Sequence, residues 1–170
     1  KLTGWDTELS GTFTADKTIT AKYDPYTDFI EAADGVTKPS GYVTVTFSAG
    51  GNGTLSAAAK SKYYVNPHKS VTLTGPSVTA NTGYEFNRWD TSAANTFKED
   101  KVIKAVYTTY GDVIEAGSVA KKPAGYVTVT FLAGSHGTLS GAAKYYVNSE
   151  KSVTLKAPSV DADAGFMHMG

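Results

Sequence analysis

Three histidines, one short acidic run and a recurring lysine–aspartate combination are the residues of this chain that could do chemistry. His68, His136 and His168 could act as general bases or bind a transition metal. His68 falls in a polar segment, Asn66-Pro67-His68-Lys69, whose second copy reads Asn148-Ser149-Glu150-Lys151. His136 occupies a glycine turn in which Asn52 stands in the other copy. A catalytic base needed once per module would recur, and neither histidine does. Asp161-Ala162-Asp163-Ala164-Gly165 has the carboxylate spacing of a calcium loop. Its counterpart Thr79-Ala80-Asn81-Thr82-Gly83 lacks the carboxylates, and no bidentate glutamate follows at the required distance. Lys60 and Lys144 recur, as do Asp6 and Asp90, which would suit an intramolecular isopeptide bond if the groups were buried together. The pattern places them on the surface. Asn52-Gly53-Thr54 fits a glycosylation sequon but reads better as a turn. No His-x-x-x-His, Gly-x-Ser-x-Gly or phosphate loop occurs. The expectation is a chain that is not an enzyme and holds no cofactor and no metal.

Composition narrows the classes further. Sixteen basic and sixteen acidic residues give a formal net charge of zero without long runs, so the basic stripe of a nucleic-acid binder is missing. No apolar stretch approaches the length needed to span a bilayer. With no cysteine, disulfides, thiolate metal sites and cysteine nucleophiles are excluded together. The bias towards threonine, valine and tyrosine favours strands, and 17 glycines supply turns.

The dominant signal is internal repetition. Gly41–Phe47 (GYVTVTF) returns unchanged at Gly125–Phe131, a period of about 84 residues. Asp28–Lys60 answers Asp112–Lys144, YYVNPHKSVTL answers YYVNSEKSVTL, and the stretch from Gly4 answers the stretch from Arg88. If a unit begins at Asp-x-Ile-Glu, residues 28–110 form one complete repeat. Residues 1–27 are then the C-terminal part of a preceding repeat, and 111–170 the N-terminal part of a following one. That frame implies a natural protein longer on both sides. A permuted frame, with two intact modules split near Phe86, is the competing arrangement.

Each unit reads as β throughout: a mainly β chain of tandem small modules in an elongated array. Val43, Val45 and Phe47 alternate with threonines as a half-buried strand. Gly50–Gly53 is expected to be a hairpin turn with Asn-Gly at positive φ. Tyr63–Val65, Val71–Leu73 and the aromatic stretch Gly83–Asp90 give further strands. In the closing strand Ile103, Ala105 and Tyr107 should face inward, since the copy with Ile19, Ala21 and Tyr23 alternates with polar residues. Asp28–Ser40 and Asp112–Ala124 read as linkers, each ending Lys-Pro-x-Gly, with room for a helical turn at Ile30 or Ile114. Tyr84, Phe86 and Trp89 complete the expected core, since aromatics in so small a unit are its main apolar mass. Tyr64 and its counterpart Tyr146 alternate outward and are the candidate ligand contacts.

The set VTVTF, Gly-x-Gly-Thr-Leu, SVTL, GYEFNRWD and IKAVY, in this order, resembles the divergent Listeria–Bacteroides repeats of the InlB B-repeat type. The resemblance implies a small β-rich module of bacterial surface proteins, with a β-grasp-like α+β arrangement in some relatives. It further implies an extracellular location at the bacterial cell surface or wall, and a stalk or spacer role in an adhesin or surface fibre. The family offers no shared catalytic residues. Phe166-Met167-His168-Met169 departs from the Tyr84-Glu85-Phe86-Asn87 version. The alternatives are an adhesive module that contacts host protein or glycan through exposed aromatics, and an accessory domain of a secreted enzyme. Expected partners are neighbouring repeats, with head-to-tail self-association between the two partial repeats and a host surface protein or glycan as further candidates. No nucleic acid and no membrane insertion are expected.

Overall fold

The computed structural model describes residues 1–56 and 61–169, and it is mainly β. The strands are β1 (Leu2–Trp5), β2 (Ala21–Tyr23), β3 (Phe29–Glu31), β4 (Val43–Ser48), β5 (Gly53–Leu55), β6 (Lys62–Val65), β7 (Val71–Thr72) and β8 (Val78–Ala80). They continue with β9 (Tyr84–Trp89), β10 (Ala94–Asn95), β11 (Lys101–Thr109), β12 (Val113–Glu115), β13 (Tyr126–Thr130), β14 (Gly137–Ser140), β15 (Lys144–Asn148) and β16 (Ser159–Ala162). Short 3-10 turns lie at Gly50–Asn52 and Ala116–Ser118, and there is no α-helix among the described residues. The α+β alternative therefore lacks its helix there.

Two compact units partition the chain. The first gathers residues 1–46, 61–75 and 92–102. Within it β3-β6-β4 run antiparallel, β1 pairs β2, and β7 pairs β10. Val45, Tyr63, Val65, Val71, Leu73 and Phe97 are its buried apolar residues. Alternation along β6 sends Tyr63 and Val65 into this core, where the Tyr63 hydroxyl donates to the Thr74 carbonyl at 2.8 Å.

The second unit gathers residues 47–56, 76–91 and 103–169. Within it the strand order is β4-β11-β9, with β5 paired to β8, β12-β15-β13 as a three-stranded sheet, and β14 paired to β16. Phe47, Ala49 and Ile103 are buried, as are Ile114, Tyr126, Tyr145 and Val147 farther along the chain.

The repeat in sequence is a repeat in register. Trp5 sits opposite Ala21 as Trp89 sits opposite Ala105, and Leu2 opposite Tyr23 as Phe86 opposite Tyr107, with the same bulge between. Likewise Val43 faces Val65 as Val127 faces Val147. The β1–β2 pair is thus the counterpart of β9–β11, and β12-β15-β13 with β14–β16 is the counterpart of β3-β6-β4 with β5–β8.

Three expectations need correction. The Gly50–Gly53 segment is not a hairpin: β5 pairs with β8, Gly50 alone carries positive φ at +66°, and Gly53 is extended. Gly53 is required by close approach instead. A Cβ there would lie 2.5 Å from the Tyr107 hydroxyl and 2.7 Å from the Thr79 carbonyl oxygen, and at Gly137 the Asp161 carbonyl oxygen would be 2.9 Å away. The expected linkers also contain strands, because β3 and β12 add to the free edges of β6 and β15. Tyr23 is 70% exposed rather than inward.

Candidate functional site

The residues singled out for chemistry do not gather. His68 is exposed, and its backbone N–H donates to the Asn66 side chain at 3.0 Å, as Glu150 does to Asn148. The shared feature is the asparagine-closed turn, which leaves the next side chain free to vary. His136 stacks on Phe166 with centroids 3.8 Å apart. Asp161 belongs to β16, and the Asp163 N–H donates to the His136 carbonyl as Asn81 donates to Asn52. Asp6 and Asp90 also have a structural task. Each carboxylate accepts a backbone N–H from the segment opposite, from Thr20 and Lys104 respectively. The Thr20 amide holds the Asp6 carboxyl below its ordinary range. Of the lysines paired with them in the isopeptide reading, Lys144 is exposed and Lys60 lies outside the described residues. Among the described residues no group of three His, Cys, Asp or Glu side chains could hold a metal ion.

The aromatic residues are placed as follows. Phe47 and Trp89 meet edge-to-face at 5.0 Å, and Phe86 meets Trp89 at 5.3 Å and Tyr107 at 6.3 Å. Tyr84 meets Tyr107 at 6.2 Å, and the Tyr107 hydroxyl donates to the Ala49 carbonyl at 2.7 Å. Val45, Phe47 and Ile103 are fully buried; Val43, Tyr84, Phe86, Trp89, Ala105 and Tyr107 are half-buried. Tyr64 and Tyr146 are half-buried on the opposite sheet face. Tyr64 sits between Ile30 and Thr44, and Tyr146 between Ile114 and Thr128. The Lys62 ammonium lies 5.7 Å from the Tyr64 ring centroid. The strand added by each linker therefore screens one side of these tyrosines.

What the structure does bring together lies where one repeat meets the next, wholly within the second unit. Tyr110, the residue after β11, packs edge-to-face on Tyr126 at 6.4 Å. Its hydroxyl donates to the Glu85 carboxylate, which also receives the Lys121 ammonium at 2.6 Å. The Tyr126 hydroxyl donates to the Gly111 carbonyl at 2.9 Å. Gly125 has no room for a side chain because Thr82 fills that space. Beside these contacts runs a groove of about 320 Å³ lined by Val78, Ala80, Tyr84, Phe86, Lys121 and Pro123. Hydrogen bonding to Lys121, then to Tyr110, holds the Glu85 carboxyl below its ordinary range. Glu85 in turn raises the Tyr110 phenol, and burial raises that of Tyr126. Repetition does not mark this cluster, because Glu85 and Lys121 do not recur: Lys1 and Thr37 hold the matching positions. The recurrence of Tyr26 with Tyr42 at the spacing of Tyr110 with Tyr126 was the available signal.

Residues 43–114 match the family model of the divergent InlB B-repeat domain. No curated protein and no solved structure matches the chain. The matched segment opens on β4 and closes in β12, so it takes in the strand ladder, the Gly53 close approach and the aromatic cluster just described. InlB B-repeat domains occur in bacterial surface proteins, and no helix among the described residues is long and apolar enough to cross a membrane. The match over residues 43–114 is to the same repeat type that the ordered motifs VTVTF, Gly-x-Gly-Thr-Leu, SVTL, GYEFNRWD and IKAVY resemble.

Proposed function

We propose that this chain is a non-catalytic spacer segment of a bacterial cell-surface adhesin or surface fibre. Its task is reach: each repeat adds one step between the cell and whatever the protein carries at its far end. The observation that supports this reading most is the residue-for-residue return of the strand register. Trp5 with Ala21 and Trp89 with Ala105 repeat the backbone frame, while the side chains with chemical potential, His68, His136 and Asp161 among them, change from copy to copy. Selection for a step preserves frame and core and leaves turn residues free to drift. The test is to delete one 84-residue period from the full-length surface protein and measure the height of its distal end above the cell. Height should fall by one repeat length with adhesion chemistry intact.

A second reading has its own observation. Tyr64 and Tyr146 occupy matching positions on the same sheet face in successive copies, as an adhesive module contacting host protein or glycan would require. Saturable binding of the 170-residue chain to a glycan or host-protein array, lost in Tyr64→Ala with Tyr146→Ala, would favour adhesion and sink the spacer reading.

A further inference from the structure

Among the described residues two repeat-to-repeat joints occur, and they are built alike. At the first, inside the first unit, Tyr26 packs edge-to-face on Tyr42 at 6.0 Å and 64°, and the Tyr42 hydroxyl donates to the Thr27 carbonyl at 2.7 Å. At the second, inside the second unit, Tyr110 packs on Tyr126 at 6.4 Å and 72°, and the Tyr126 hydroxyl donates to the Gly111 carbonyl at 2.9 Å. The surrounding backbone bonds recur too. Tyr42 N–H donates to Pro39 and Tyr126 N–H to Pro123; Asn66 N–H donates to Asp28 and Asn148 N–H to Asp112. In each pair the first tyrosine stands just before a linker and the second at the start of the long strand after it, Tyr42 one residue ahead of β4 and Tyr126 first in β13.

A linker that only tethered two modules would need none of this. About 13 residues behaving as coil would let the joined ends wander over roughly 20 Å. Here the linker is spent locally: β3 and β12 are strands, the Lys-Pro-x-Gly turn closes on itself, and the tyrosine hydroxyl returns to the backbone at the linker's start. At the second joint Tyr110 N–H also donates to the Gly83 carbonyl at 2.8 Å, and Ser149 Oγ donates to Gly125 at 2.6 Å. The Glu85–Lys121 pair then spans from β9 of one repeat to the linker that leads into the next.

We propose that the tyrosine pair is an inter-repeat clasp, a surface on each repeat that fits the next copy and fixes the angle between them. Glu85 with Lys121 is a brace belonging to this joint alone, because Lys1 and Thr37 replace it at the other. The function of the clasp rests on the spacer reading, in which a fixed angle keeps reach from collapsing. Its existence does not.

The 170-residue chain has no cysteine, so spin labels can be placed at Asn87→Cys in the complete repeat and Thr138→Cys in the next, both exposed. Pulsed dipolar spectroscopy should give one distance with a width of a few Å, far below the roughly 20 Å of a coil linker. Tyr110→Ala should broaden it towards the coil value, and Lys121→Ala should broaden it by less. Tyr110→Phe keeps the ring contact but loses the bond to Glu85, so it should match Lys121→Ala. Trp89 emission, read in a Trp5→Phe background because the chain has two tryptophans, reports whether residues 28–110 stay folded. A broad distribution in the parent, or the parent's width retained in Tyr110→Ala, overturns the clasp. Should Tyr110→Ala unfold, Tyr110→Leu, which keeps bulk but loses the edge-to-face ring contact, takes its place, and the parent's width retained there overturns the clasp. Unchanged widths in both Lys121→Ala and Tyr110→Phe overturn the brace. A flexible joint without ligand binding would leave the spacer reading standing, whereas ligand capture with a narrow distribution would do the reverse.

Discussion

At the scale of single residues, two side-chain volumes govern the complete repeat. Trp89 is half-buried, with Phe47 and Phe86 both edge-to-face on it at 5.0 and 5.3 Å. Trp89→Ala removes the hub of that cluster and should cost about 3 kcal/mol in a denaturant melt, from lost contact and an unfilled cavity. A loss near zero would remove Trp89 from the core. Gly53 fails in the opposite direction. A methyl there meets the Tyr107 hydroxyl and the Thr79 backbone, and only the former can swing away. Gly53→Ala should destabilise by about 1–3 kcal/mol by forcing β5 from β8. Gly51→Ala, where the same methyl meets open space, is the control and should be near neutral.

At the scale of elements, the joint between repeats carries a pH dependence whose sign follows from its charges. Glu85 has a depressed carboxyl because Lys121 and Tyr110 bind its ionised form. Its contribution is therefore complete above the ordinary carboxylate range and disappears as pH falls through the lowered value. Tyr110 has a raised phenol because its proton is held by Glu85. That contribution is complete below the ordinary tyrosine range and is lost only as pH rises through the raised value. Lys121 is exposed and Glu85 only half-buried, so the effect is on the order of 0.5 kcal/mol and screened by salt. Label distances recorded between about pH 7 and about pH 3 should broaden in the parent and stay constant in Glu85→Gln. Equal broadening in both would assign the change to groups elsewhere.

At the scale of the whole molecule, apolar side chains stand exposed both before residue 28 and after residue 111. Trp5, Phe13 and Tyr23 are 46%, 53% and 70% exposed on the β1–β2 side, and Leu132 is 85% exposed beside Phe131. In the complete repeat the counterparts Trp89 and Phe47 pack on each other. We propose that Trp5 of one molecule seats against Phe131 of another, a heterologous contact that does not close on itself. Light scattering at rising concentration should show open-ended association, abolished by Trp5→Ala. A strict monomer with Trp5 shielded from quencher would instead favour modules split near Phe86.

The sequence by itself determined that the chain is β-rich and repetitive, because threonine–valine alternation has period two and long copies leave their register on the page. GYVTVTF, GYEFNRWD and IKAVY became β4, β9 and β11. It also separated Val45 and Phe47 from their polar neighbours, and the copy with Ile19 did the same for Ile103. Only the tertiary structure decided that β5 belongs to β8, that Gly53 is small for lack of space, and that the linkers supply edge strands. The reason is range. Alternation and turn propensity are properties of adjacent residues, whereas Thr79 against Gly53, or Lys121 against Glu85, is fixed by where distant segments arrive, and no local pattern encodes that.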